Sequence, residues 1–534
     1  MNIVLYDTTL RDGTQRAGLS LSVEDKLKIA QRLDALGIPY IEGGWPGSNP
    51  KDAEFFERIA SAGLRRAKLA AFGSTRRAGV RCADDPSVQA LVTACTAVVT
   101  LVGKSSRLHV ERVLETTRDE NLAMITDSVA YFKQLGKEVV YDAEHFFDGY
   151  ALDAEYALAT ITAAAGAGAD CVVLCDTNGG ALPRAVEQGV QAAQGRIRTP
   201  LGIHTHNDGG LALANALAAV DAGCVHVQGT INGYGERCGN LDLVPLIATL
   251  QLKLGYPVLP AERLRQLSDV AHAVAALANQ NLDPHAPYVG RHAFTHKGGL
   301  HAAAVAKLPE SYQHVEPARV GNAMGVVVSE LAGRGNVRLR AQALGLDVAD
   351  REREVLQRLK QLESQGFQFE AAEGSFEMLL RRARPGYAPP FETVGFTVIS
   401  EKRGERTTAQ ARVDLRVAGA TWHGVADGHG PVHALDCAAR QALRHAYPDL
   451  ADLRLLDYKV RIVDEHLGTA AKPRVLIESA WGRERWTTVG CSENIIEASW
   501  QALGDAFELA LTRRRERRPR THVKRVRDGS QAIL

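Results

Sequence analysis

The sequence predicts an α/β chain: a (β/α)8 TIM barrel, then a helical linker subdomain, then a C-terminal α+β domain with a βββα repeat. Three observations predict it. Eight short apolar runs, separated by helical stretches, lie between residues 2 and 233. A helix-rich region with His- and Gly-containing loops follows. The last part of the chain then repeats three alternating strands and a helix.

The eight runs are NIVLYDTT (2–9), IPYIEGG (38–44), AKLAAFGS (67–74), AVVTLVG (97–103), EVVYDAEHF (138–146), ADCVVLCDTNG (169–179), PLGIHTHND (200–208) and CVHVQGTING (224–233). They are near-continuous apolar stretches, as parallel strands covered on both faces must be. Intervals of about 30 residues leave room for a helix and two loops. The first interval spells out its helix. Ser22 and Asp25 make a capping-box start, Val23, Leu27, Ala30 and Leu33 form one stripe, and Gly37 ends it. SVAYFKQLGK and LALANALAAVDAG read the same way. A doubly wound open sheet is the competing fold, but TTLRDGTQ is not the glycine fingerprint it would carry after its first strand. The barrel is expected over residues 1–260.

Residues 261–390 carry helical patterns such as VAHAVAALANQ and REREVLQRLKQLESQ, and ARPGYAPP (383–390) punctuates their end. Residues 391–512 hold the repeat. FETVGFTVIS, TTAQARVDLRV and ATWHGVADG precede the helix PVHALDCAARQALRHA; LLDYKVRIVDEH, RVLIESAWG and RWTTVGCS precede NIIEASWQALGDAFELAL. Residues 513–534 form a basic tail, expected to be solvated and disordered, with nine Lys or Arg among residues 513–527. No aromatic residues are interleaved there for base stacking, so no nucleic-acid partner is expected.

Composition narrows the class. The chain is 45% hydrophobic and 23% charged, which is ordinary for a globular protein. A net charge of +1 gives no chain-wide attraction to nucleic acid or acidic surfaces. The eight cysteines contain no CxxC pair, and Cys171 and Cys175 suit a buried strand better than a metal site. Reduced thiols and a cytoplasmic setting are expected. MNIVLYDTT shows no signal peptide, and no run reaches the ~18 apolar residues of a membrane span.

The chemistry gathers at predicted strand ends. In a parallel barrel the C-terminal strand ends share one face, and active sites lie on it. Asp7, Arg11 and Asp12 follow strand 1. On strand 7, His204 and His206 are two apart, so both side chains point the same way. One carboxylate and two imidazoles make half an octahedral metal site, with positions left for substrate or water. After strand 8, GTINGYGERCGN has four glycines that let the backbone approach a ligand, and Asn240 offers a hard oxygen to the same ion.

With DTTLRDGTQ, HTHND and GYGERCGN in this order, the chain resembles the 2-isopropylmalate synthase / homocitrate synthase / citramalate synthase family. The resemblance continues through HAFTHKGGLHAAAV (292–305). GHGPVHALD and IIEASWQAL resemble the family's leucine- or isoleucine-sensing regulatory and dimerisation domain. EGGWPGSNPKDAEFF (42–56) and SYQHVEPARVGN (311–322) look most like the longer citramalate synthase branch, with Trp45-Pro46 where isopropylmalate synthases more usually have Phe-Pro.

This resemblance implies an acyltransferase that condenses acetyl-CoA with a 2-oxo acid and hydrolyses the thioester. Pyruvate is the implied acceptor, in isoleucine biosynthesis. The rival within the family is 2-isopropylmalate synthase, which takes 2-oxoisovalerate in leucine biosynthesis. It implies Asp12, His204, His206 and Asn240 as ligands of a divalent metal; O/N donors suit Mg²⁺, Mn²⁺ or Zn²⁺ alike. Arg11 matches the arginine beside the keto oxygen and Thr177 the threonine that holds the acceptor carboxylate. Glu144 matches an acidic active-site residue. His301 and Tyr312 match a His and a Tyr supplied by the linker, from the partner subunit in related enzymes; His296 lies near them. A homodimer and an isoleucine effector are implied as well.

The physical logic fits. A 2-oxo acid chelates a metal through its carboxylate and keto oxygens, and Arg11 adds positive charge where an alkoxide forms. Acetyl-CoA must lose a methyl proton to Glu144, His301 or an activated water; a relay of His301 with Tyr312 is favoured. Two other classes stay open: carbon–carbon cleavage on the same barrel, and a catalytically dead barrel carrying a ligand-binding module. The first typically lacks the linker and the repeat; the second is opposed by Asp12, His204 and His206.

Overall fold

A computed structural model of the 534-residue chain describes residues 2–326, 333–348, 351–463, 465–482 and 484–517. The chain divides into two compact units. One comprises Met1–Phe294 with Gln313–Gly325, the other Thr295–Tyr312 with Val326–Leu534.

The first unit is built on a closed barrel of eight parallel strands in sequential order: β1 (Val4–Asp7), β2 (Tyr40–Gly44), β3 (Lys68–Ser74), β4 (Val98–Lys104), β5 (Glu138–Glu144), β6 (Cys171–Asp176), β7 (Leu201–Thr205) and β8 (His226–Gly229). Closure comes from β1 pairing with β8, Val4 opposite His226 through Asp7 opposite Gly229. Seven of the strands fall within the apolar runs, and β4 overruns its run, 97–103, by the one residue Lys104. The two strand faces serve different cores, which explains the lack of polar–apolar alternation. Tyr6, Ala70, Val98, Val140, Cys171, Val173 and Cys175 fill the barrel interior. Leu5, Ile41, Ala71, Val99 and Val172 face the surrounding helices.

The first helix, Val23–Leu36, forms as its sequence dictates. Ser22 accepts from the Asp25 amide while Asp25 accepts from the Ser22 amide, and Gly37 ends the helix at φ +103°. Asp34, near its end, accepts from the amides of Arg65, Arg66 and Ala67 at 2.7–3.0 Å and so pins the approach to β3.

The unit boundary departs from a single linker over 261–390. The helix Leu267–Leu277 packs on Val23–Leu36, because Leu267, Val270, Ala271 and Val274 join the barrel's helix-facing core. An apolar stripe predicts a helix without saying which neighbour covers it.

In the second unit, helices Glu352–Ser364 and Glu373–Arg382 share a core containing Val355, Leu359, Phe376 and Leu380. Two three-stranded antiparallel sheets follow, Glu392–Gly428 and Arg454–Cys491, each succeeded by a helix, Pro431–Leu443 and Ile495–Arg517. This is the βββα repeat. The last helix runs through Arg513 to Arg517, where the sequence predicts the tail to begin. Arg513 explains the extension: its guanidinium pairs with the buried Glu377 at 2.5 Å and stacks 5.3 Å over the Trp486 ring. The rest of the basic tail, 518–534, lies outside the described residues. Among the described residues, no helix is long and apolar enough to cross a membrane.

Candidate active site

The C-terminal strand ends of the barrel open into a cavity of about 560 Å³ whose lining includes Arg11, Asp12, Glu144, Thr177, His204 and His206. Asp12 follows β1, and the two histidines lie on and just after β7. Closure of the barrel brings them together. Asp12 Oδ2 is 3.2 Å from His204 Nε2 and 3.9 Å from His206 Nε2, and the two Nε2 atoms are 3.3 Å apart. All three residues are buried, and they form the one group of metal-ligand type found among the described residues.

Asn240 reaches the same point through the loop after β8. That loop pairs back along β7: His206 and Asn240 form an antiparallel bridge, and the Leu241 amide donates to Thr205 O at 2.9 Å. Its amide nitrogen donates to Asp12 Oδ2 at 2.7 Å, while its Oδ1 is buried without a hydrogen-bond partner. Two glycines make the approach possible. A Cβ on Gly235, at φ +157°, would stand 1.8 Å from Asn240 Oδ1, and one on Gly239, at φ +94°, 2.1 Å from Gly233 O.

The electrostatics favour a cation. Burial opposes charge on Asp12, yet Arg11 and then His204 hold its carboxyl well below the usual carboxylate range. Burial also opposes charge on His204, but the Asp12 carboxylate raises its pKa overall. Burial, then the His204 charge, depress His206 to about 3, which leaves it a neutral imidazole with a lone pair. A carboxylate and two imidazoles converge in a buried spot. The Asn240 amide, whose nitrogen lies 2.7 Å from Asp12 Oδ2 and 3.2 Å from His204 Nε2, brings its unpartnered oxygen to the same point once the amide is turned over; this fits the donor set of a divalent cation.

Arg11 is fixed beside this group. Its Nε donates to Glu42 Oε1 at 2.5 Å, its Nη1 lies 3.3 Å from Asp12 Oδ1, and its guanidinium carbon sits 3.7 Å over the Phe72 ring. Glu42 on β2 is fully buried and also accepts from the Tyr6 hydroxyl at 2.8 Å. Glu144, at the end of β5, pairs with the Lys104 ammonium. Thr177 Oγ1 accepts from the His145 amide at 2.9 Å, and His145 takes φ +57° to deliver it. Arg237 straps the loops of this rim, donating to both Asp208 oxygens and to Thr177 O at 2.7–3.0 Å. His301 and Tyr312 belong to the second unit. There their rings stack 4.2 Å apart, with His296 6.5 Å from His301 and 6.3 Å from Tyr312.

Sequence reading missed Glu42 as the partner of Arg11, and Asp142 and Gln228 altogether. Asp142 is buried on β5, two residues before Glu144, so period-2 alternation sends both inward and would have found it. Burial, then Glu42, push its carboxyl up to about 7.

Residues 2–274 match the HMGL-like model, 288–366 the homocitrate synthase post-HMGL domain-like model, and 370–511 the LeuA allosteric (dimerisation) domain. The chain belongs to the HMGL-like family of 2-isopropylmalate, homocitrate and citramalate synthases. It is 48% identical to an (R)-citramalate synthase of Geobacter sulfurreducens, over 96% of this chain and 98% of that one. It is 50% identical to an (R)-citramalate synthase of Synechocystis, over 95% and 96%. A 2-isopropylmalate synthase of Methanocaldococcus jannaschii is 29% identical over 96% of this chain and 95% of that one. Membership implies a divalent metal and acetyl-CoA, and the LeuA-type domain implies a dimer and an allosteric effector.

Proposed function

We infer that this chain is an (R)-citramalate synthase: it condenses acetyl-CoA with pyruvate, and water cleaves the thioester to release citramalate and CoA. The observation that carries this reading is the convergence of Asp12, His204 and His206 beside Arg11, in a chain about half identical to (R)-citramalate synthases along nearly its whole length.

Asp12, His204, His206 and Asn240 are the residues that would hold the divalent ion, which supplies Lewis-acid polarisation of the acceptor's keto group. Arg11, oriented by Glu42 and Phe72, adds a fixed positive charge where negative charge develops on the keto oxygen. Thr177 accepts from the His145 amide, so its hydroxyl proton is free to be donated to the acceptor's carboxylate. A base takes a methyl proton from acetyl-CoA, and the resulting carbanion forms the new carbon–carbon bond to the keto carbon. Glu144 and the stacked His301–Tyr312 pair are the candidate groups for that proton, with the pair favoured.

Pyruvate is preferred over 2-oxoisovalerate because the citramalate synthases are the much nearer relatives. Isoleucine is the proposed effector of the LeuA-type domain, and the cytoplasm the proposed location. Release of CoA across a panel of 2-oxo acids, with and without chelator and isoleucine, tests the whole reading. Pyruvate should be turned over best, chelator should stop the reaction and isoleucine should slow it. Preference for 2-oxoisovalerate would overturn the assignment of acceptor.

A further inference from the structure

One side chain next to the metal-ligand group has no counterpart in any motif read from the sequence. Gln228, on β8, is completely buried. Its Nε2 donates to Asp142 Oδ1 at 2.9 Å, and its Oε1 faces His204 Nδ1 at 2.7 Å. The order of these partners fixes the chemistry. At pH 9, above the value of about 7 to which its carboxyl is raised, Asp142 is ionised and only accepts, so the amide nitrogen faces Asp142 and the amide oxygen faces His204. An amide oxygen also only accepts, so His204 Nδ1 must carry a proton. In a neutral imidazole the lone pair then lies on Nε2, the atom 3.2 Å from Asp12 Oδ2 and 3.3 Å from His206 Nε2. The other tautomer would close Nε2 and set two lone pairs against each other at Gln228. His206 has no such support, since its Nδ1 is buried without a partner.

We propose that Asp142 and Gln228 are positioning residues that lock His204 in the tautomer whose Nε2 is open to a divalent cation. The proposal rests on the reading that Asp12, His204 and His206 hold that cation. The chain spans three strands, β5 to β8 to β7, so barrel closure itself sets the tautomer. Outer partners of this kind typically change metal affinity about 10–100-fold when removed.

Asp142→Asn is the diagnostic variant, because it keeps the shape and one hydrogen bond but removes the direction. An amide at 142 can donate or accept, so Gln228 is free to turn over. Gln228→Met removes the relay with similar volume and serves as the second variant. The ring-nitrogen NMR signals of His204 in the metal-free full-length protein at pH 9 report the tautomer directly. Calorimetric titration with Mn²⁺ reports affinity, and circular dichroism reports folding. Wild type should show the Nδ1–H form alone, and Asp142→Asn a mixture of the two. Mn²⁺ affinity should fall roughly 10–100-fold in both variants with the fold intact. Unchanged tautomer and affinity in folded Asp142→Asn and Gln228→Met would overturn the proposal. A wild type locked as Nδ1–H that binds no Mn²⁺ would instead overturn the metal-site reading beneath it.

Discussion

Glu42 accepts from Arg11 Nε at 2.5 Å, and this pair sets the guanidinium over Phe72 with one arm toward Asp12. Lysine can reproduce the charge at position 11 but not the planar fork or the stacking. Arg11→Lys should lower kcat/KM roughly 100-fold, the scale of losing one aligned donor to developing negative charge. Steady-state kinetics with pyruvate checks it. An unaltered kcat/KM would remove Arg11 from the reaction.

Read as a divalent-cation site, the Asp12–His204–His206 group makes a simple prediction about ion dependence. Chelator should abolish CoA release, and added Mn²⁺ or Mg²⁺ should restore it. Asp12→Ala removes the carboxylate common to both histidine contacts, and added metal should not rescue it. Full activity of that variant would disprove the site.

Gly235 tests whether Asn240 matters where it stands. A methyl at this position meets Asn240 Oδ1 at 1.8 Å on a backbone at φ +157°. Gly235→Ala should therefore displace Asn240 and cost activity roughly 100-fold, as a misplacement of about 1 Å can. Its melting temperature should change far less than its rate, because the loop, not the barrel, absorbs the shift. Equal rates for wild type and variant would mean that Asn240 is not needed in this position.

Asp34 governs stability rather than chemistry. Burial opposes its charge, but the three amides it accepts from, Ala67 foremost, hold its carboxyl below the usual range. The folded-state pKa is depressed. Its stabilising contribution is present above the unfolded carboxylate value of about 3.9 and is lost as pH falls through the folded value. Asp34→Ala should cost about 2 kcal/mol near pH 7, the scale of hydrogen bonds to a charged acceptor. Denaturant titrations at pH 7 and pH 3 should show the gap between variant and wild type narrowing in acid. A gap independent of pH would mean that packing, not charge, fixes this residue.

Much of the molecule is written locally. The eight strands were legible because each apolar run is bounded by turn chemistry. Ser22, Asp25 and Gly37 mark one helix from end to end. His204 and His206 announce a shared direction by their spacing alone. Local patterns stop there, because hydrophobic periodicity says that a face is covered without naming what covers it. That is why the helix Leu267–Leu277 went to the barrel core rather than to the linker. Arg513, too, became part of a helix once Glu377 was beside it. Only ring closure, joining β1 to β8, brought Asp12 within reach of the two imidazoles, while pairing of β1 with β2 brought Glu42 to Arg11 and the loop after β8 laid Asn240 along His206. Gln228 carries no sequence signal at all: an amide becomes directional only when a carboxylate stands on one side and an imidazole on the other.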